Sequence, residues 1–313
     1  MLGKTAGGLF WMFRYLERTE NTARMLDAGL RIALTRSAAA ESEWKSIITA
    51  TGLRKEYEER HGSFTGPKII DFLLRDKQNP GSTMAAVVNA RNNARLVRTA
   101  LTRELWEAVN ESYMVLKDVL AHPITDRELP GVLQTIRQHA AIVRGTLAGT
   151  MLRNDIYDFA RIGTFFERAD NTARTLDVKY YILLPSVRHV GSPADNVQWE
   201  AILRSVSSVR AYQSVHHGDT DPRSIAEFLI LDRRSPRSLA FCYDKIVSNL
   251  GYLSKANAAA SASMEQANTL NAMFQERDID AIFTQGLHEF TQCFLRESFR
   301  LGQQIEQDYR FTE

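Results

Sequence analysis

Residues 15–27 read YLERTENTARMLD, and residues 165–177 read FFERADNTARTLD. At an offset of 150 residues the two stretches agree at eight of thirteen positions: Glu, Arg, Asn, Thr, Ala, Arg, Leu and Asp. Helical composition alone does not write so long a word twice, so the stretches are read as two copies of one long helix. On a helix turning about 100° per residue, Glu17, Asn21 and Arg24 fall at about 0°, 40° and 340°, and Glu167, Asn171 and Arg174 do the same. Phe10 and Phe13 lie on the first stripe upstream, while Val178 and Tyr181 continue the second downstream. Large apolar residues bracketing a polar patch predict stripes that point inward.

Outward from these words the chain keeps a helical period, and no segment shows the sustained alternation of a half-buried strand. Long helices are expected over Thr5–Arg36, Ser82–Ala121, Gly131–Met151, Asn154–Leu184, Ala194–Val215, Ser235–Ala259 and Asp278–Tyr309. A second repeated word, DFLLRDKQNPGS at 71–82 and EFLILDRRSPRS at 227–238, reads as a short Phe-Leu helix, a Pro-Ser break and a capped new helix. Pro236 suits the first turn of that new helix after a Ser235 cap. The expected fold is an all-α helical bundle built from two related, duplicated halves. The first half and the start of the second repeat helix lie within 1–185, and the remainder within 186–313. One compact helical domain with an internal duplication of about 150 residues is expected, with Ser186–Asp195 as the linker between halves.

The repeated word carries an anionic acceptor, a five-donor fork and an amide that both donates and accepts. Glu20 to Arg24 and Asp170 to Arg174 have the favourable i,i+4 order, but Glu17 and Arg24 are about 10 Å apart along the axis. Their partners are expected on another helix or on a ligand, because an unpaired buried charge is costly. Two classes remain open. In one, the stripes of two helices meet near a pseudo-two-fold axis as a buried network that sets register. In the other they line a cleft, where Glu17, Arg18, Glu167 and Arg168 act in catalysis while Asn21, Arg24, Asn171 and Arg174 hold substrate or an anion. Arg91, Asn92, Arg95 and Arg98 in ARNNARLVR join that candidate anion set. Val247, Ser248, Gly251 and Ser254 stand at the corresponding positions 156 residues on, so the first half has the better claim to an anion site. The alternative for this run is a solvated arginine face.

With 39 Lys and Arg against 37 Asp and Glu, the net charge of +2 leaves no basic footprint for nucleic acid. No run approaches the roughly 18 apolar residues of a membrane span, and GGLFWMF near the N-terminus is broken by Arg14. The only cysteines are Cys242 and Cys293, without a CxxC, which fits a reducing compartment and a cytoplasmic protein. No metal site is expected: EERH at 58–61 occurs once, and HHGDTD at 216–221 reads as a turn and helix cap. GKT at 3–5 lacks the strand and upstream glycine of a phosphate loop.

The words YLERTENTARMLD, FLLRDKQNPGS, ARNNARLVR, ELWEAVN and MLRNDIYDFARIGTFFERADNTARTLDVKYY, in this order, resemble the bacterial alpha-E domain family. That family is an all-helical domain of unknown function with a Glu-Arg motif, and the resemblance covers nearly the whole chain. It implies a partner system: such proteins occur beside, or fused to, circularly permuted ATP-grasp proteins, with transglutaminase-like or proteasome-like peptidases nearby. The implied chemistry is ATP-dependent amide or peptide-bond formation on a peptide or amino-acid substrate. This chain would bind no cofactor of its own, with ATP and Mg supplied through the partner.

Overall fold

A computed structural model describes residues 3–35, 40–183, 193–216, 221–256 and 261–312. The regular structure among them is helical, with no strand. The two Glu-Arg words lie on the two longest helices, α1 (Gly3–Thr35) and α8 (Asp155–Leu183), which pack against each other along the centre of the molecule. Phe10 and Phe13 of α1 and Phe165 and Phe166 of α8 are buried in one continuous core with Leu9, Leu16, Ala169 and Leu176. At Gly163 the two backbones approach so closely that a methyl group there would overlap the Phe10 carbonyl.

Between the central helices the chain forms α2 (Ala40–Thr51), α3 (Arg54–Glu58), α4 (Gly66–Leu74), α5 (Thr83–Leu96), α6 (Arg103–Val119) and α7 (Leu129–Thr150). After α8 follow α9 (Pro193–Ser205), α10 (Val209–His216), α11 (Pro222–Leu231), α12 (Leu239–Ala256), α13 (Ser261–Ala272), α14 (Ile279–Gln285) and α15 (Leu287–Asp308). Helices α5 and α7 flank α1, α12 and α15 flank α8, and α2 and α9 each touch both central helices. The Asp that closes each word reaches its flanking helix. Asp27 pairs with Arg137 of α7 at 3.5 Å, while Asp177 accepts from Thr291 Oγ1 at 2.7 Å and Gln292 Nε2 at 2.8 Å on α15.

The Phe-Leu segments form the short helices expected of them. Helix α4 buries Ile69, Ile70, Phe72, Leu73 and Leu74, and α11 buries Ile225, Phe228, Leu229 and Ile230. Beneath each lies the same trio of rings. Tyr57 sits 4.7 Å from His61 and 5.2 Å from Phe72, and Tyr212 sits 4.6 Å from His216 and 5.5 Å from Phe228. His61 of the EERH stretch is thus engaged in aromatic packing. The turns that follow also match. Ser82 N donates to Asn79 O at 3.0 Å and Ser238 N to Ser235 O at 3.1 Å, and the two serine hydroxyls accept from Ala85 N and Phe241 N.

Several expected boundaries are corrected. The cap before α12 is Ser238, three residues beyond Ser235, because Pro236 and Arg237 are spent in the turn. The span 82–121 is two helices, since Thr102 accepts from Leu105 N at 3.2 Å and starts α6 afresh. Ser207, at φ 54°, separates α9 from α10, and Gly286, at φ 100°, separates α14 from α15. Helices α2, α3 and α13 lie outside the spans expected to be helical. Of the expected linker, positions 186–192 lie outside the described residues, and 193–195 already belong to α9. Positions 217–220 of HHGDTD also lie outside them, while Asp221 caps α11 through Ser224 N at 2.9 Å.

Candidate functional site

The inward stripes meet across the α1–α8 contact, and each Glu finds the Arg of the other word. Arg168 donates to Glu17 through Nε at 2.8 Å and Nη2 at 3.0 Å, a bidentate fork. Arg18 donates reciprocally to Glu167 through Nε at 2.5 Å and Nη2 at 3.0 Å. Both carboxylates are nearly sealed, Glu17 being 1% and Glu167 5% exposed. Burial opposes ionisation of Glu17, but Arg168, Arg237 and Arg144 outweigh it and hold its carboxyl at about 2. Burial likewise opposes ionisation of Glu167, and Arg18 and Arg14 bring it to about 2. At neutral pH both groups are therefore carboxylates with their oxygens already committed to arginines.

Around this clasp the two sides differ. On the side of the first word, Glu20 is fully buried and accepts from Arg24 Nε at 3.0 Å, from Arg237 Nη2 at 3.1 Å and from Arg144. Arg237 also donates to Asn21 Oδ1 at 2.8 Å and lies 3.3 Å from Glu17 Oε1. Burial lowers the Arg237 guanidinium to about 10, still protonated at neutral pH. Arg24 completes this side with a hydrogen bond to Ser207 Oγ.

On the side of the second word, Arg14 supplies a further bond to Glu167 at 2.8 Å, its guanidinium lying 4.7 Å from the Trp11 ring centre. Arg174 donates through Nε to Asp170 Oδ2 at 2.8 Å. Here no arginine corresponds to Arg237, and a cleft of about 460 Å³ opens. Its walls are Trp11, Arg14, Arg18 and Asn21 of α1, then Glu167, Asp170, Asn171 and Arg174 of α8. Gly52 and Gly81 form one rim, and Phe299, Gln303 and Glu306 of α15 the other. The amide nitrogens of Asn21 and Asn171 are buried with no hydrogen-bond partner among the described residues. Three cations and three carboxylates line the cleft, so it is polar on both signs.

The structure thus brings together eight of the twelve expected residues: Glu17, Arg18, Asn21 and Arg24 with Glu167, Arg168, Asn171 and Arg174. The cleft itself takes in Arg18, Asn21, Glu167, Asn171 and Arg174 of these. Arg91, Asn92, Arg95 and Arg98 are not part of its lining. Arg91 donates to Asn110 at 2.8 Å and lies over the Tyr113 ring, Arg98 lies over Trp106, and Asn92 and Arg95 face solvent. Arg14, Arg144 and Arg237 escaped the sequence reading as site residues. Arg237 was legible as the one basic residue that SPRS has and NPGS lacks, whereas nothing in the sequence marked Arg144. Among the described residues no cluster of three or more His, Cys, Asp or Glu suits a metal, and no helix is long and apolar enough to cross a membrane.

A protein whose described regular structure is helical, joined at its centre by exchanged Glu-Arg pairs with a polar cleft beside them, is the class that fold and site define. Over residues 1–309 the chain matches Alpha-E, described as a predicted alpha-helical domain with a conserved ER motif, and it belongs to that family. It is 24% identical over 299 residues to an uncharacterised protein of Mycobacterium bovis and 23% identical to one of Mycobacterium tuberculosis strain H37Rv. Each alignment covers 89% of this chain and 33% of the relative, so the chain spans about a third of the length of the curated relatives it matches. No solved structure matches it.

Proposed function

We propose that this chain is the helical, substrate-positioning component of an ATP-grasp-linked system that forms or modifies amide or peptide bonds, and that its cleft meets the substrate. The observation that carries this reading is the contrast between the two sides of the clasp. One side is closed by Arg237, while the other leaves Asn171 Oδ1, Asp170 Oδ1 and the terminal nitrogens of Arg174 without hydrogen-bond partners among the described residues, around a cleft large enough for a small ligand. In this reading the circularly permuted ATP-grasp protein brings ATP and Mg and makes an acyl phosphate. The cleft holds the carboxylate or amine that reacts, and a transglutaminase-like or proteasome-like peptidase acts on related peptides. The relatives, three times as long as their matched region, leave room for such a partner in the same chain.

Glu17, Arg18, Glu167 and Arg168 then act as a clasp that shapes the cleft. A carboxylate held at about 2 is a poor general base at neutral pH, because proton transfer is efficient when the pKa lies near the working pH. The same reading takes the chain as two related halves in one domain, with α8 mirroring α1. The exchanged ion pairs, the matching ring trios and the matching turns support it.

The test is ADP release by this protein alone, by its cognate ATP-grasp protein alone, and by the two together with candidate acidic peptides. Turnover appearing only in the mixture is the expected result. No gain over the ATP-grasp protein, under conditions where the two co-elute, overturns the reading. The second reading is a non-enzymatic scaffold whose buried Glu-Asn-Arg network only sets helix register, favoured by the sealed Glu17–Arg168 pair. It requires that filling the cleft leave partner binding and turnover unchanged.

A further inference from the structure

The closed side of the clasp contains a template for what the open side lacks. Aligning the two Phe-Leu words places Gly81 opposite Arg237, and the turns that carry them share the same backbone hydrogen bonds 156 residues apart. The turns after α2 and α9 correspond at an offset of 155 residues, with Gly52 N donating to Thr49 O at 3.0 Å and Ser207 N to Arg204 O at 2.9 Å. Gly52, at φ 75°, stands opposite Ser207, at φ 54°.

On the closed side the Arg237 guanidinium is gripped by Asn21 Oδ1 at 2.8 Å, Glu20 Oε1 at 3.1 Å and Glu17 Oε1 at 3.3 Å, and Arg24 finds Ser207 Oγ. The corresponding residues on the open side are Asn171, Asp170, Glu167 and Arg174, all of which line the cleft. Among the described residues, Asn171 Oδ1 and Asp170 Oδ1 accept no hydrogen bond, and the Arg174 guanidinium is bonded through Nε alone. A Cβ on Gly52 would lie 3.1 Å from Arg174 Nη1, so the missing Ser207 counterpart would have faced that nitrogen. Two glycines thus remove one guanidinium and one hydroxyl from an otherwise repeated arrangement.

We infer that the cleft takes a guanidinium or primary ammonium group of an amino acid or peptide in the place that Arg237 fills on the closed side, with an oxygen of the same ligand facing Arg174. Each side already carries two acidic residues and three arginines: Glu17 and Glu20 with Arg24, Arg144 and Arg168, against Glu167 and Asp170 with Arg14, Arg18 and Arg174. The closed side accommodates a fourth guanidinium in that setting, and Glu306 adds a further carboxylate to the open side. Phe299, two-thirds exposed on the cleft rim, offers an aromatic face to a planar cation. This inference rests on the cleft being the ligand site of the proposed function and names the chemistry it selects.

Isothermal titration of the full chain tests it. The probes are L-arginine, L-lysine and end-blocked Ala-Arg-Ala, which separate a free amino acid from a peptide source, with N-acetylarginine against N-acetylcitrulline, which differ in the guanidinium. Saturable binding of a cationic probe is expected, with N-acetylcitrulline weaker than N-acetylarginine by at least about tenfold. Gly81→Arg places the missing side chain in the cleft and should abolish binding, whereas Gly81→Ala should retain it. A Cβ at Gly81 meets chiefly the flexible end of Leu53. If Gly81→Arg fails to fold, Asp170→Asn provides the same decision, with binding expected to fall by at least about tenfold. Equal binding of the two N-acetyl probes, or undiminished binding in Gly81→Arg, overturns the inference. Saturable binding of N-acetylglutamate, which carries no cation, without any cationic probe overturns it while leaving the cleft as a ligand site. Binding of no probe overturns the inference, and if partner-dependent ADP release is also unchanged in Gly81→Arg the cleft is not the ligand site and the scaffold reading stands.

Discussion

At the scale of single residues the clasp converts two acidic side chains into tethers. Glu17 and Glu167 titrate at about 2 in the folded chain against an ordinary 4.5, so the unfolded chain binds more protons between those values and stability falls as the pH drops through them. Each carboxylate contributes about 3 kcal/mol that is present above pH 4.5 and lost towards pH 2. Urea melts from pH 6 to 2.5 should show this acid loss. Glu17→Gln leaves Arg168, Arg237 and Arg144 facing a neutral amide. It should cost about 3–5 kcal/mol, the usual penalty for breaking one partner of a buried pair. Replacing Glu17 and Arg168 together by Met should recover part of that loss; a double variant as unstable as the sum of its singles would contradict the pairing. Asp158 behaves oppositely. Burial, with Asp155 nearby, raises it from 3.8 to about 6, so its ionisation destabilises the fold as pH rises through that window. Asp158→Asn should raise Tm at pH 7.5 and leave it nearly unchanged at pH 4, read by thermal melts at the two pH values.

At the scale of elements the inward stripes were legible because helical period is local. Phe10, Glu17 and Asn21 fall on one face by spacing alone, and that face is buried. The breaks were harder to read. Leu96 to Thr102 has no glycine or proline, and only the Thr102 cap and a turn at Arg98–Ala100 part α5 from α6. The approach of α1 to α8 at Gly163 was also hidden, because a glycine within a helical pattern does not announce which backbone it faces. Gly163→Ala should force the helices apart and loosen both Glu-Arg pairs. A loss of about 1–3 kcal/mol, the cost of overpacking, is expected in chemical denaturation. A variant as stable as the parent would show that the helices do not meet there.

At the scale of the molecule, α8 lies within 1–185 while its flanking helices α12 and α15 lie beyond that point. A fragment ending at 185 would therefore expose the face of α8 that buries Phe165, Phe166 and Ala169. Fragment 1–185 alone should aggregate or lose helicity, whereas co-expression with 186–313 should restore a 1:1 complex, read by circular dichroism and size exclusion. A stable, fully helical 1–185 monomer would contradict an interdependent core.

The sequence by itself determined that this chain is helical, that two long helices carry the same word, and that the polar stripe of each turns inward. These follow from period, caps and composition, which act within a few residues. Only the tertiary structure decided that Glu17 takes Arg168 and Glu167 takes Arg18, and that Arg237 crosses 216 residues of sequence to close one side against Asn21 while Gly81 leaves the other open. The physical reason is that a buried charge must be paired but its spacing names no partner. The partner is whichever opposite charge the packed helices bring within hydrogen-bond reach.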